Sequence, residues 1–448
     1  MQRLKPALQY SAGRSYTWSG AVLTNAYAEV SDGDKREAFA VLATPGLTLW
    51  TTLPGGVYRG SVMCAGVLYV VSGGLLYSVD SAGSYTQLGA IPGSGPVSMA
   101  ANYTEVAIAA NGTGYVWSGG ALYTPVPFDV SSVIYFDSYM VWQIKDSEQF
   151  IISSLDDALT YDAADVASVE GSPDNIVGMV NSHRELQFFG ADTIEIFYNS
   201  GAVDFPFERQ GNSFIERGCF DRDSIVKINN TVMFMGDDRI VYSLNGYSPQ
   251  RVSTHWVEYL LRDATYARAW TYDQEGHKFY VLECDRGTIL FDISTGAWHK
   301  RASYGSDFWR CNGGIVAYDR TILGDRDNGN LYIPSSEIHT ENGNPIIVQV
   351  DLPPIEANRE RMTMYAFEIV MDTGLGNGDV ADPQAMLQYS DDNGHRWSNE
   401  MWRSLGLVGE YRTRAVWRKL GQFRQRQMRI RISDPVSRFL VSYWADIQ

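Results

Sequence analysis

A quasi-repeat of short strand pairs runs through the middle of the chain and limits its fold more than any other feature. In each unit an apolar run is followed by a small polar turn and a second run rich in Tyr, Val or Ile, as at 67–70 and 75–77. Comparable first runs recur at intervals of roughly 35 to 47 residues, near 106–108, 139–142, 186–189, 232–235, 279–282 and 315–317. This spacing is typical of four-stranded propeller blades.

One such sheet has two apolar faces and cannot stand alone, whereas sheets packed radially around an axis cover each other. The sequence therefore predicts an all-β protein with a β-propeller of six or seven blades over residues 55–336. A pair of stacked sandwiches is the main rival. Longer strands follow the turn at Asn342-Gly343-Asn344-Pro345, so residues 337–448 are predicted to form a C-terminal β-sandwich-like domain. Residues 1–54 are expected to pack on the ring or the propeller.

The net charge of −16 argues against a protein that grips nucleic acid over its whole surface, because phosphate affinity comes from Lys and Arg. An acidic wall does suit DNA that must slide past without sticking, although ordinary solubility explains the charge as well. No apolar run is long enough for a membrane span and the first residues lack a signal-peptide pattern, so we expect synthesis in the cytoplasm.

The sharpest local motif is the run SDDNGHRW at 390–397, which resembles an Asp box with Arg396 in place of the usual Ser or Thr. Asn393-Gly394 supplies a tight turn with positive φ, and Asp392 can accept hydrogen bonds from turn amides. The predicted structural set is Ser390, Asp392, Gly394 and Trp397. Asp boxes occur in sialidase-type propellers, but there the motif is a folding device distant from catalysis.

The sequence contains no recognisable catalytic or metal-binding pattern. The six histidines show no metal-ligand spacing, the four cysteines are far apart, and no nucleophile elbow or phosphate-binding loop is present. Paired carboxylates for glycoside hydrolysis cannot be singled out among the 52 acidic residues. We therefore expect no enzyme activity, no cofactor and no metal.

A basic strip marks the C-terminal region. Residues 396–438 contain eleven basic and three acidic residues, a net charge of +8 that leaves −24 for the rest. One interpretation is a phosphate-binding strip. The other, which the planar guanidinium fork favours, is an electrostatic seam against an acidic face of the same or a neighbouring subunit. The candidate subunit-contact residues are Arg418, Arg424, Arg426, Arg429 and Arg431.

Several short runs, taken in their order along the chain, resemble the tail nozzle or tail hub family of short-tailed phages, also described as packaged-DNA stabilisation proteins. They are TPGL at 44–47, GHKFYVL at 276–282, QYSDDNG at 388–394, WRKLG at 417–421, RQR at 424–426 and MRIRISDP at 428–435.

The resemblance implies a structural protein of the virion tail, a homohexameric ring below the portal and its adaptor ring. Such a ring would hold packaged DNA in, carry attachment points for fibres or spikes and a central plug or needle, and let double-stranded DNA pass without specific binding. No catalytic residues come with this family. The alternative hypothesis is a glycan-binding or sialidase-like carbohydrate-active propeller, suggested by the Asp-box-like turn and the abundant Trp and Tyr.

Overall fold

The computed structural model describes residues 1–13, 19–30, 39–162, 164–169, 171, 174–202, 204–211, 213–358 and 360–448. Parts of the first 54 residues (14–18 and 31–38) therefore lie outside the described residues. The described N-terminal strands are β1 (Gln2–Arg3), β2 (Val22–Thr24), β3 (Ala26–Val30), β4 (Phe39–Ala43) and β5 (Gly46–Thr52).

Seven antiparallel blades follow in chain order within the described residues. The first two contain β6 (Tyr58–Cys64), β7 (Val67–Ser72), β8 (Leu75–Val79), β9 (Tyr85–Ala90), β10 (Ser98–Ala101), β11 (Val106–Ala110), β12 (Thr113–Ser118) and β13 (Ala121–Tyr123). The third and fourth contain β14 (Val130–Phe136), β15 (Tyr139–Ile144), β16 (Gln149–Ile152), β17 (Val166–Ser168), β18 (Ile176–Ser182), β19 (Glu185–Gly190), β20 (Ile194–Asn199) and β21 (Phe207–Arg209).

A 3-10 turn (Arg222–Ser224) precedes the fifth blade in the chain, and helix α1 (His255–Leu261) follows it. The fifth and sixth blades contain β22 (Val226–Ile228), β23 (Thr231–Met235), β24 (Val241–Asn245), β25 (Ser248–Arg251), β26 (Arg268–Gln274), β27 (His277–Cys284), β28 (Gly287–Asp292) and β29 (Ala297–Arg301). The seventh contains β30 (Cys311–Ala317), β31 (Arg320–Asp325) and β32 (Asn330–Ser335), and β33 (Thr340–Glu341) and β34 (Asn344–Pro345) extend its sheet.

The blades are arranged as a closed ring. The first strand of each blade contacts the first strand of the next, and β30 of the seventh blade contacts β6 of the first. Seven apolar clusters among the described residues fill the spaces between neighbouring blades. Each blade therefore buries both of its faces against its neighbours, which is how single sheets that are unstable alone become a stable unit.

The ring is closed by a strand from the beginning of the chain. The outer strand of the seventh blade is β5, which pairs antiparallel with β32 from Gly46 opposite Ser335 to Thr52 opposite Asn330. Leu47 of β5 is buried in the cluster between the sixth and seventh blades. The closure therefore joins the two ends of the propeller by backbone hydrogen bonds as well as by packing.

The remaining strands form a two-layer β-sandwich. They are β35 (Val348–Asp351), β36 (Ile355–Glu356), β37 (Met362–Met371), β38 (Gln384–Ser390), β39 (Met401–Ser404), β40 (Ala415–Phe423), β41 (Gln425–Ile432) and β42 (Phe439–Ile447). One layer has the strand order β3-β4-β42-β37-β40, with β1 beside β42, and the other has β2-β35-β41-β38-β39, with β36 beside β41. One apolar cluster, which includes Phe367, Trp417 and Ile430, lies between the layers.

The propeller and the sandwich share one continuous sheet. Strand β2 pairs parallel with β29 of the sixth blade and antiparallel with β35 of the sandwich. Asn25, which follows β2 and has a φ of 55°, is buried at this junction. Its amide nitrogen donates to the carbonyls of Ala302 at 2.9 Å and Ile347 at 3.0 Å, so one side chain connects both units.

The predicted fold class is confirmed, since the chain forms a β-propeller followed by a C-terminal β-sandwich. The described sheets resolve the open blade number to seven. The N-terminal segment contributes strands to both units, because β5 completes the propeller while β2, β3 and β4 belong to the sandwich sheets.

Candidate subunit-contact surface

The Asp-box-like turn connects the end of β38 with the segment that leads to β39. The Ser390 hydroxyl donates to Asp392 Oδ1 at 2.9 Å and accepts from the Gly394 amide at 2.8 Å. Asp392 Oδ1 also accepts from the Arg396 amide at 2.8 Å, and this hydrogen bond lowers the pKa of the Asp392 carboxyl. Asn393 and Gly394 have φ values of 61° and 81°. The polar groups of the turn thus satisfy one another, which fixes the direction of Asp391.

Arg426, at the start of β41, contacts this turn. Its guanidinium makes a bidentate ion pair with Asp391, with both nitrogen–oxygen distances 2.7 Å, and donates to the Leu420 carbonyl at 2.7 Å. The rings of Tyr389 and Phe423 lie 4.0 and 4.3 Å from the guanidinium carbon. Arg426 is 1% exposed, so its side chain lies inside the sandwich.

Arg429 makes a second bidentate pair, across the strands β35 and β41. It is directly opposite Asp351 in the register, and both nitrogen–oxygen distances are 2.8 Å. Its other face stacks on Trp397, with the guanidinium carbon 3.6 Å from the ring centroid. Burial raises the pKa of the Asp351 carboxyl, and the Arg429 guanidinium opposes that shift. Trp397 therefore connects the predicted turn to the predicted strip.

Arg431 extends the same row along β41. Its Nε donates to Gln349 Oε1 at 2.8 Å, and its side chain lines a cavity of about 360 Å³ between the sandwich and the sixth blade. Burial and the nearby Arg429 lower the pKa of Arg431. The neighbouring residues Met428, Ile430 and Ile432 are buried in the sandwich core, as the alternation of the strand predicts.

Arg418 and Arg424 lie on the outside. Strand β40 is the edge of its sheet, and on it Arg418 and Lys419 are exposed. Lys419 and Gly421 have φ values of 59° and 79°, which marks a bulge where the register with β37 shifts. Charged residues and a bulge are features that protect an edge strand from uncontrolled pairing. Arg424 is exposed between β40 and β41.

The structure thus divides the predicted strip into two groups. Arg426, Arg429 and Arg431 are held within the chain by Asp391, Asp351 and Gln349, and a fourth arginine, Arg414, is paired with Glu368 with its Nη2 2.6 Å from Oε2. Arg418 and Arg424 present their side chains at the surface, and we use the name "exposed strip" for Arg412, Arg418, Lys419 and Arg424.

A surface of opposite charge lies on the first four blades. Residues 60–208 contain seventeen acidic and two basic residues, and no Lys or Arg occurs between Arg59 and Lys145. Many of these carboxylates are exposed, and we call this set the acidic surface: Asp80, Asp129, Asp137, Asp146, Asp156, Asp162, Asp192, Asp204 and Glu208. Much of the negative charge of the chain is thus concentrated on these blades.

The described part of the chain has no cluster of His, Cys, Asp and Glu that could hold a metal ion. All four cysteines are buried, and burial raises the pKa of their thiols. His277 is buried with Asp292, its Nδ1 2.7 Å from Oδ2, within an aromatic cluster. No helix in the described ranges is long and apolar enough to cross a membrane.

The comparisons with known proteins agree with this architecture. Residues 11–339 match the family model described as bacteriophage P22 Gp10, beta-propeller. Residues 348–448 match the model described as bacteriophage P22 Gp10, beta-sandwich. The chain belongs to the bacteriophage P22 Gp10 family. The resemblance drawn from short runs of sequence is thereby confirmed over nearly the whole length.

A named member of the P22 Gp10 family is similar over most of its length. The tail hub protein gp10 of Salmonella phage P22 is 21% identical over 433 residues, covering 88% of each chain. Among solved structures, the WD40 propeller domain of Doa1 matches 65% of this chain and 97% of its own, with 14% identity and a TM-score of 0.41. An extracellular domain of a one-component system from B. thetaiotaomicron matches 80% of this chain and 47% of its own, with 11% identity and a TM-score of 0.46.

Proposed function

We propose that this chain is a structural subunit of the tail hub of a short-tailed phage and has no enzymatic role. Six copies form a nozzle ring below the portal and its adaptor ring, which retains packaged DNA and forms the channel for its ejection. The observation that carries the proposal is the pair of family matches, which cover both domains in order and include a relative named as a tail hub protein.

The distribution of charge supports a ring. A subunit with a positive surface at one place and a negative surface at another can bind a copy of itself head to tail, and such heterologous contacts close into a ring when the rotation allows. The exposed strip and the acidic surface are such a pair. We propose that Arg418 and Arg424 form the positive side of this contact, where guanidinium groups can pair with carboxylates.

The acidic residues of the first four blades also suit a protein along which DNA moves without binding. Seventeen acidic and two basic residues on the first four blades disfavour adhesion of a phosphate backbone. We propose that DNA passes transiently and without specific binding, and that the ring carries fibres or spikes and a central plug or needle. The mature protein then resides in the virion tail.

The carbohydrate-active alternative is not favoured by the comparisons. The hydrogen bonds of Ser390, Asp392 and Gly394 are made within the turn, which supports a structural role for the Asp-box-like motif. Binding or cleavage of any member of a broad glycan panel by the purified chain would support the alternative.

The oligomeric state tests the ring. We expect light scattering of the purified protein, alone or with portal and adaptor, to give a six-fold assembly. Charge reversal by Arg418→Glu should weaken assembly at least tenfold. Lys5→Glu is the matched control, because Lys5 is also exposed and the change in charge is the same. A wild-type chain that remains monomeric with portal and adaptor at every concentration would contradict the proposal.

DNA retention is tested separately in particles. Heads that have packaged DNA and then receive the wild-type protein should keep their DNA protected from added nuclease. Heads that receive the Arg418→Glu variant should lose protection in proportion to the loss of assembly. Full protection without this protein would contradict the retention role while leaving the ring itself intact.

A further inference from the structure

A polar cavity lies on the axis of the propeller and is separate from the exposed strip. Its volume is about 300 Å³, and every one of the seven blades contributes lining residues from its first strand or from the segment just before it. The charged residues of the lining are Arg59, Arg222, Arg268 and Asp223. The residues around this space therefore carry three positive charges and one negative charge, in a region of the chain that is otherwise acidic.

Two of these arginines have no carboxylate partner among the described residues. Arg222 is paired with Asp223, its Nε 3.1 Å from Oδ1, and also donates to the Ser131 carbonyl. Arg59 donates only to carbonyls, those of Gly95, Gly73 and Ile91. Arg268 donates to the Arg59 carbonyl at 3.3 Å. In the part of the chain that the structure describes, neither Arg59 nor Arg268 forms an ion pair, so two positive charges remain uncompensated beside the cavity.

Burial makes this arrangement unusual. Arg59 is 2% exposed, and a buried charge without a counter-ion is strongly disfavoured. Consistent with this, burial lowers the pKa of the Arg59 guanidinium. Among the described residues, the Nη2 atom of Arg59 is buried without a hydrogen-bond partner. The positive charge of Arg59 is therefore stabilised by any anion that enters the neighbouring cavity.

We propose that the axial cavity binds a small oxyanion, a phosphate group that is either free or carried by a mononucleotide. Phosphate fits because its negative charge at neutral pH is opposite to the net positive charge of the lining, which has three arginines and one aspartate. The planar donors of Arg268 and Arg222 suit its oxygens. A cavity of about 300 Å³ is at the small end of ligand sites, so it admits a phosphate or one nucleotide.

Thermal unfolding and calorimetric titration of the full chain test this site. Inorganic phosphate and deoxyadenosine monophosphate are compared with chloride at equal ionic strength. We expect phosphate to raise the unfolding midpoint and to bind one equivalent per chain. A stronger response to the nucleotide identifies a carried phosphate, whereas an equal or weaker response identifies the free ion as the occupant. The same midpoint in phosphate and in chloride would overturn the proposal.

Two variants separate the site from a general salt effect. Arg268→Gln removes one unpaired guanidinium and should weaken phosphate binding at least tenfold. Asn312→Asp keeps the shape of the side chain but adds a negative charge, so it should also abolish the response to phosphate. Because the two variants lie in different blades, poor folding of one leaves the other as a test. Lys145→Gln is the control, because Lys145 is exposed on the third blade and away from the lining. Equal binding by wild type, Arg268→Gln and Asn312→Asp would refute the site.

Discussion

The first four blades and the end of the sandwich carry opposite charges, and they hold these charges in different places. On the blades most carboxylates are at the surface, and the ion pair of Glu195 with Arg209 is an exception. In the sandwich, Arg414, Arg426 and Arg429 are each paired with an acid of the same chain. The net charge of the C-terminal segment therefore overstates the positive charge that the sandwich presents to a partner. The net charge of the first four blades, in contrast, agrees well with the carboxylates exposed on them.

The largest expected effect comes from breaking a buried pair of the sandwich. Arg429→Leu leaves the carboxyl of Asp351, which is 0% exposed, without its counter-ion. We expect a loss of about 3–5 kcal/mol in the free energy of unfolding at pH 7, measured by denaturation in guanidinium chloride. The double variant Arg429→Leu with Asp351→Leu removes both charges and should regain a large part of that loss. A double variant no more stable than the single one would show that packing on Trp397, rather than charge, dominates.

The same single variant should depend on pH in a defined direction. Burial already raises the pKa of Asp351, and removal of Arg429 raises it further. A carboxyl with a raised pKa in the folded state destabilises the fold above its unfolded pKa of about 3.9. The difference in unfolding free energy between the variant and the wild type should therefore be smaller at pH 4 than at pH 7, as measured by denaturation at both pH values. A difference that does not change with pH would exclude an ionised Asp351 as its cause.

An intermediate effect is expected at the turn that directs Asp391 to Arg426. Gly394 has a φ of 81°, a conformation that costs an alanine about 1 kcal/mol. Gly394→Ala should lower the unfolding free energy by about that amount. Gly378→Ala is the control, because an added Cβ meets no atom within 4 Å there and no positive φ is required. Equal stability of both variants would mean that the turn does not constrain the pair.

The smallest effect on stability is expected at the exposed strip. Arg418 is exposed on an edge strand, so Arg418→Ala should change the unfolding free energy by less than about 0.5 kcal/mol. Its effect on assembly should be much larger and should diminish at high salt, since exposed charges are screened. Sedimentation at low and high ionic strength, with unfolding measured in parallel, separates the two effects. A large loss of stability would show that the Arg418 side chain makes stabilising contacts within the chain, as Arg426 and Arg429 do.

The sequence was sufficient for the strands but not for their long-range partners. The recurring strand pairs predicted the blades. Helix α1 begins after Thr254, whose hydroxyl accepts from the Val257 amide, and threonine is a residue type preferred at this position. The blade number stayed open because the closing strand β5 lies far from β32 in the chain. The partners of the internal arginines could not be predicted from the sequence either. Asp351 is 78 residues from Arg429, and no local pattern encodes that pairing.

The position of β5 also has a consequence during protein synthesis. Thr52 and Asn330, which face each other in the closed seventh blade, are 278 residues apart. At about 5–20 residues per second, roughly 14 to 56 s separate the emergence of these two residues from the ribosome. During that time β5 has an unpaired edge and Leu47 has no cluster to enter. The nascent chain must therefore be kept from aggregating until the last blade is made, and a chain that stalls before it cannot close its ring.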